Sequence, residues 1–434
     1  MLRNKIVLGA GVILTSCSLV QTPAKAEPLQ DLLVGFLENH KQIKAAKMDV
    51  QAAHQTSLAT KGGWYPSLQV TAHYGNEQQM KPNDTDDSNM MTREWDMTVT
   101  QRLYDFGATN ATIRTAELTQ AQTEAALVST RSALLLRAIS AYQNLLRANE
   151  ALNFAKQSED NIKKQTELEN ALVERGAGFS TDVLQAKVQL AGAQARRVRA
   201  EGALQVAKNG FRGVFGKEPG DMNRMEKPVL PVSLLPASVE EAVEMSLKNN
   251  PLLAASHIAG RIAQEAIAST KASSFYPSFD AIADYKMKRD VGSTAGNQRE
   301  VVGKVQMSFP FNLGFTAINT LRASEHTSSA TDLRFGDSKD QIEEQTRNAW
   351  EQLKTAKSNA ELLVNQANIA AEFLEDARKE RALGRRSLLE VLNGETALIN
   401  ASSDAASAET DVAIAVFTLL DAMGELDESV LATN

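Results

Sequence analysis

The sequence predicts an α+β chain of long α-helical hairpins with four short β-strands, and three observations carry that prediction. Asn110 to Arg175 contains no proline or glycine. It is rich in Ala, Leu, Gln, Glu and Arg, all good helix formers, with Leu127, Leu134, Ala138, Ala141, Leu145 and Leu152 at helical spacing. Four other segments alternate apolar and polar residues, the period of a strand. Finally, the same order of elements occurs twice. A helix of about 66 residues would be roughly 100 Å long, which calls for a fibrous or tubular architecture and not an ordinary globular domain.

The chain has 434 residues, enough for two or three domains, but only 5% are aromatic, which favours helix against helix over a thick mixed core. A net charge of −7 without a basic cluster gives no footing for nucleic acid.

The N-terminus has the layout of an export signal over residues 1–26: Arg3 and Lys5, the apolar run Ile6 to Ile13 fading toward Val20, then Ala24-Lys25-Ala26 as a small-x-small cleavage site. The run is too short to span a bilayer. Cys17, the only cysteine, would leave with this segment. Leu14-Thr15-Ser16-Cys17 also resembles a lipobox, in which case Cys17 would be acylated instead. On either reading the chain leaves the cytoplasm.

A helix is expected from Leu29 to Thr60, with Leu32, Leu33, Phe36, Ile43, Ala46, Val50 and Ala53 on one broad stripe, ended by Gly62-Gly63. Trp64-Tyr65-Pro66 then opens a strand in which Leu68, Val70, Ala72 and Tyr74 alternate with Ser67, Gln69, Thr71 and His73. An acidic loop from Asn76 to Thr92, with Glu77, Asp84, Asp86 and Asp87, should separate it from a second strand carrying Trp95, Met97 and Val99. Tyr104-Asp105-Phe106-Gly107 turns into the long helix, which ends at Gly176-Ala177-Gly178. A further helix runs from Thr181 to Phe215.

Residues 217–236 hold four prolines and read as a linker between a first repeat, 27–216, and a second, 237–434. Ser238-Val239-Glu240-Glu241 fits a capping box, and Asn249-Asn250-Pro251 interrupts the helix that follows. Phe275-Tyr276-Pro277-Ser278 matches Trp64-Tyr65-Pro66-Ser67, and Asn312-Leu313-Gly314 parallels Asp105-Phe106-Gly107. Between them lie two more alternating strands, and beyond them a long helix from Ile318 to Leu383. The stretch from Gly384 to Leu392 matches that from Gly176 to Leu184. All these anchors recur about 210 residues apart, which indicates an internal duplication.

The four strands, about ten residues each, have the length of tilted transmembrane barrel strands. Their apolar faces carry Tyr74, Trp95 and Tyr285, suited to membrane interfaces. Four strands cannot close a barrel, and open edges are not tolerated in hydrocarbon. Eight strands would fill their own interior, whereas the twelve of a homotrimer leave a passage.

In its duplicated layout, its Tyr-Pro-Ser strand openings, the exit Gln101-Arg102-Leu103-Tyr104-Asp105-Phe106-Gly107 and its two glycine turns, the chain resembles the TolC-type outer-membrane efflux and secretion channels. The resemblance implies a homotrimer in the outer membrane of a Gram-negative bacterium, with a twelve-stranded barrel and an α-helical barrel crossing the periplasm. It implies as partners a periplasmic membrane-fusion adaptor and an inner-membrane transporter, ABC-type or proton-driven, besides outer-membrane lipid.

The resemblance also assigns site residues. A periplasmic gate would involve Glu390 in an acidic ring, Arg386 as a latch, Asn393 where many members have a second acid, and Asp182, the counterpart of Glu390 in the first repeat, either lumenal or a solvated acid at a helix start. Three copies of an acid around an axis attract cations. The plain alternative is an exposed i, i+4 pair of Arg386 and Glu390, worth a few tenths of a kcal/mol. Arg175, Gly176, Ala177, Leu383, Gly384 and Arg385 would dock the adaptor. Glycine there ends a helix through a left-handed residue and allows close backbone approach.

No enzymatic reading finds its parts. His40, His54, His73, His257 and His326 are scattered, and neither a phosphate loop nor a nucleophile elbow occurs, so no cofactor or metal is expected. Calcium on the acidic loop fits no known spacing. Trp350 and Phe373 read as packing residues. The expected function is a passive exit duct for type I protein secretion, with drug or metal efflux as the alternative. A non-pore periplasmic coiled-coil scaffold or adhesin is the rival from another class, but it leaves the four strands unexplained.

Overall fold

A computed structural model describes residues 29–432 apart from 34, 83–86, 223–224 and 312. The export signal with Cys17, and Asp84, Asp86 and Asn312, lie outside the described residues.

In chain order the elements are α1 (Leu29–Leu33), α2 (Phe36–Asn39), α3 (Lys41–Lys61), β1 (Ser67–Gln79), β2 (Ser88–Tyr104), α4 (Ala108–Glu174) and α5 (Ser180–Phe215). They continue with α6 (Val239–Asn249), α7 (Pro251–Phe275), β3 (Ser278–Val291), β4 (Thr294–Ser308), α8 (Thr316–Ala382), α9 (Leu388–Ala422) and α10 (Ser429–Ala432). The two long helices, α4 and α8, each have 67 residues.

The helices form a wall. α3 and α5 both pack on α4, α4 also packs on α7 and α9, and those two pack on α8. The order across the wall is therefore the α3/α5 column, α4, the α7/α9 column and α8. The main core lies midway, where Leu135, Ile139, Tyr142 and Leu145 of α4 meet Phe211 of α5, Leu353 of α8 and Val416, Phe417 and Leu420 of α9. Residues of α1, α6 and α10 cover it. The segment after α5 is strapped to this core: the buried Tyr142 donates its hydroxyl to Glu226 O, and Lys227 Nζ reaches Glu409 at 2.8 Å and Glu150 at 3.2 Å. Burial raises the Tyr142 pKa to about 12.

The α7/α9 column has a break whose chemistry is local. Pro251 cannot donate a backbone bond to α6, and the Asn250 side chain caps α7 by accepting from Leu252 N. The same asparagine donates to Ala422 O at the end of α9. Gly424, at φ +74°, lies so near that an added Cβ would stand 2.6 Å from Asn249 O.

The strands form one antiparallel sheet in the order β1-β2-β3-β4. Its burial is the inverse of a soluble sheet. Trp95, Met97 and Val99 are exposed, at 59%, 42% and 38%, while the alternating Glu94, Asp96 and Thr98 are half-buried. Among the described residues no helix is long and apolar enough to cross a membrane.

Three expectations need correction. The helix expected from Leu29 to Thr60 is three pieces, because Gly35 is left-handed (φ +69°) and His40 is extended, its Nδ1 accepting from Gln42 N. The strands run to 13, 17, 14 and 15 residues in place of about ten. Much of the acidic loop expected from Asn76 to Thr92 is consequently strand, Glu77 included, and Asp87 caps what remains by accepting from Lys81 N. Ladder hydrogen bonds are made by the backbone, so pairing continues where side chains have ceased to alternate.

Candidate functional site

The end of the helical wall is built from two matching turns. Gly176 N bonds Val173 O and Ala177 N bonds Leu172 O; in the second half Gly384 N bonds Arg381 O and Arg385 N bonds Glu380 O. Both glycines are left-handed, at φ +71° and +69°, as this helix ending requires. Arg175, Gly176, Ala177, Leu383, Gly384 and Arg385 all lie exposed on these turns, with Leu383 exposed to 70%.

Beyond each turn the halves differ. α5 begins at Ser180 after Phe179, which provides no side-chain cap, and Asp182 lies in its first turn. α9 begins with a complete capping box: Ser387 Oγ accepts from Glu390 N, and Glu390 Oε2 accepts from Ser387 N. Glu390 is thus partly spent on its own helix, though it remains 56% exposed. Asn393 is exposed one turn further on.

Arg386 is not primarily paired with Glu390. Its Nε lies 2.7 Å from Glu380 Oε2 and 3.9 Å from Glu390 Oε2, and its guanidinium sits 5.2 Å from the centre of the Phe373 ring. Arg386 therefore ties the start of α9 back to the end of α8, across the Gly384 turn. Phe373 also packs beside Gly394, where an added Cβ would come within 3.2 Å of the ring. Trp350 packs against the main core.

Several residues of this site went unread in the sequence. Glu169 of α4 is buried and accepts from Arg381 Nη2 of α8 at 2.6 Å and from Gln165 Nε2 at 3.2 Å. Glu395 of α9, also buried, accepts from Arg378 and from Asn161 Nδ2 of α4 at 3.2 Å. These ties join the two hairpins around a small apolar cluster of Ile162, Ala186, Ala193, Leu388 and Leu392. A signal was present: Glu169 continues the buried stripe Ile162, Thr166, and Glu395 continues Leu388, Val391, Leu392.

At the other end of the wall, the sheet joins the helices through Asp105. Burial opposes its charge, but hydrogen bonds from the side chain and backbone of Thr109 and from Gly107 N hold its pKa below the usual value. Arg102 bridges from it to Asp280, at 3.5 and 2.7 Å. Further along the polar face Lys288 stands between Glu94 and Glu300, and Lys304 faces Asp284. One face of the sheet is thus charged, with Glu94, Asp280 and Asp284 paired to basic side chains, and the other is apolar over most of its length.

The profile of the outer membrane efflux protein family matches residues 32–217 and 242–425. The efflux protein BepC of Brucella suis is 23% identical over 97% of this chain and 91% of its own length. TolC of Vibrio cholerae is 23% identical over 93% and 92%. The alkaline protease secretion protein AprF of Pseudomonas aeruginosa is 24% identical over 92% and 85%. Among solved structures, the outer-membrane channel OprN superposes with a TM-score of 0.81 over 92% of this chain and 90% of its own at 19% identity. CusC gives 0.78 over 91% and 92% at 17% identity. Long helical hairpins on a four-stranded sheet are therefore the fold of outer-membrane channels, and the family's members are ducts, not enzymes. The chain belongs to the outer membrane efflux protein family, and its place is the outer membrane.

Proposed function

We propose that this chain is the exit duct of a tripartite export system, assembled as a homotrimer and serving type I protein secretion. The observation that carries the reading is the inverted sheet, with an exposed, mostly apolar face, a charged polar face, and free edges at β1 and β4. Free edges cannot remain in hydrocarbon. Pairing β4 of one copy with β1 of the next closes twelve strands around the polar faces. The helical walls then join into a tube reaching into the periplasm.

The turns at Gly176 and Gly384 are its far end, where Arg175, Gly176, Ala177, Leu383, Gly384 and Arg385 meet a periplasmic adaptor joined to an inner-membrane transporter. Glu390, with Asn393 one turn further on and Asp182 at the matching place in the first repeat, lines the constriction, and Arg386 holds it narrow through Glu380. Secretion is favoured because AprF and PrtF, both 24% identical over 92% of this chain, are named for secreting proteases. Efflux is the second reading, since BepC, matching 97% of the chain, is named for efflux.

Single-channel conductance of the detergent-extracted protein tests the duct. Small cation-selective openings that enlarge in Arg386→Ser and Glu380→Gln, with weaker cation selectivity in Glu390→Ala, are expected. A water-soluble bundle without conductance would return the reading to a periplasmic scaffold. Deletion separates the substrates: a missing set of secreted proteins supports secretion, and drug or metal sensitivity with an unchanged secretome supports efflux.

A further inference from the structure

The apolar face of the sheet carries a second pattern at its outer edge. Register sets Tyr74, Arg93, Arg289 and Asn297 side by side. The next row toward the helices is Ala72, Trp95, Met287 and Arg299. Three arginines thus share the face of Met97, Val99 and Tyr285, not the charged face behind it. From Phe279, where the apolar rows begin, Arg289 is ten residues on, about 26 Å along the membrane normal for a strand tilted by about 40°. That is the height of a barrel's hydrocarbon band. The arginines stand where acyl chains give way to headgroups, at the end remote from the helices. At the opposite end of the face, Phe279, Ala281, Val305 and Met307 bring no basic residue.

These arginines are short of counter-charge. Arg289 Nε has Asp290 Oδ2 at 3.4 Å, while the other oxygen of that carboxylate accepts from Gly296 N. Arg93 lies 5.6 Å from the centre of the Tyr74 ring. Among the described residues no ion pair engages Arg93 or Arg299. Arg93 also faces Arg289 directly across the β2–β3 ladder. Like charges in that relation are destabilising, and an anion between them reverses the sign.

We propose that Arg93, Arg289 and Arg299 bind the phosphate of an anionic lipid of the outer leaflet. Guanidinium forks match phosphate oxygens in pairs, and the apolar rows of Met287 and Tyr285 lie where the acyl chains of the same molecule would run. That continuity assigns a lipid, because free phosphate has no use for an apolar neighbour. The proposal rests on the bilayer-spanning reading of the sheet.

The test uses the full chain extracted in detergent, compared with R93Q/R289Q/R299Q and R93K/R289K/R299K. Each is incubated with diphosphorylated lipid A or its dephosphorylated form, and retained lipid is counted by native mass spectrometry. The wild type should prefer the phosphorylated form, the glutamine variant should lose about fivefold of that preference per arginine, and the lysine variant should keep most of it. Equal retention of both lipids by the wild type, or an unchanged preference in the glutamine variant, overturns the proposal. Displacement by millimolar inorganic phosphate overturns the assignment to lipid. Conductance in planar bilayers is recorded on the same samples: a wild type that never inserts brings down the barrel reading and this one together, whereas a conducting wild type without lipid preference brings down this one alone.

Discussion

Arg381 Nη2 donates to Glu169 Oε1 across 2.6 Å, joining α8 to α4 just above the glycine turns. The Glu169 side chain is 3% exposed and that of Arg381 26%, so the carboxylate depends on this partner and on Gln165. Removing one member of a buried pair costs far more than replacing both with packed neutral groups. Arg381→Ala should destabilise the chain by about 3 kcal/mol, while Arg381→Met combined with Glu169→Gln should cost much less. Thermal unfolding of the detergent-extracted protein decides this, and equal losses in the single and double variants would mean that the pair is not coupled.

The alternation of β2 sets opposite tolerances at adjacent residues. Val99 stands on the apolar face beside Leu68 and Ala283, and Thr98 on the other face donates to Asp284. Val99→Arg should cost about 2–4 kcal/mol at mid-bilayer and abolish membrane assembly. Thr98→Arg, placed beside Asp284, should assemble normally. Heat-resistant oligomer on a gel is the readout, and the reverse outcome would invert the assignment of faces.

Gly424 and Gly384 share a left-handed backbone but differ in their surroundings. An added Cβ at Gly384 meets nothing within 4 Å, whereas at Gly424 it meets the Asn249 carbonyl. Gly384→Ala should cost about 1 kcal/mol. Gly424→Ala should cost several times more, since backbone at the α6–α7 break must also move. Similar melting points for the two variants would contradict this packing.

Asp421 sits beside that break, where burial raises its carboxyl pKa and the Ser132 hydroxyl opposes the shift. A folded pKa above the ordinary 3.8 means that its contribution is fully present below that value and is lost as pH rises through the folded one. At pH 7 the buried charge is a cost. Asp421→Asn, which keeps an acceptor for Ser132, should therefore melt at a higher temperature than the wild type at pH 7. The difference should close as pH falls toward 4; a gap independent of pH would show that Asp421 does not titrate this way.

The long helices could be read because their sequence is consistent at every level, from Ala-rich propensity to the spacing of Leu134, Ala138 and Leu145. The ends of the strands could not. Alternation records the slab in which the two faces meet different solvents, and from Asn76 to Gln79 both faces are polar although the ladder continues. Glu380, Glu169 and Glu395 escaped for another reason. A carboxylate on a helix reads as solvated, and what makes each of these different is a partner: Arg386 across a turn, Arg381 at a distance of 212 residues, Arg378 on the facing helix. Arg386 stands out in the sequence beside Glu390, but the carboxylate nearer to it is that of Glu380.

The alternating strands also bear on how the chain reaches its membrane. A wall built from single apolar residues spaced by polar ones contains no stretch resembling a spanning helix, and none occurs among the described helices. A bilayer holds a continuous apolar segment as a spanning helix, whereas in β2 the apolar side chains come one residue in two. Greasiness distributed one residue in two is invisible along a single strand and becomes a surface only when neighbouring strands line up in register.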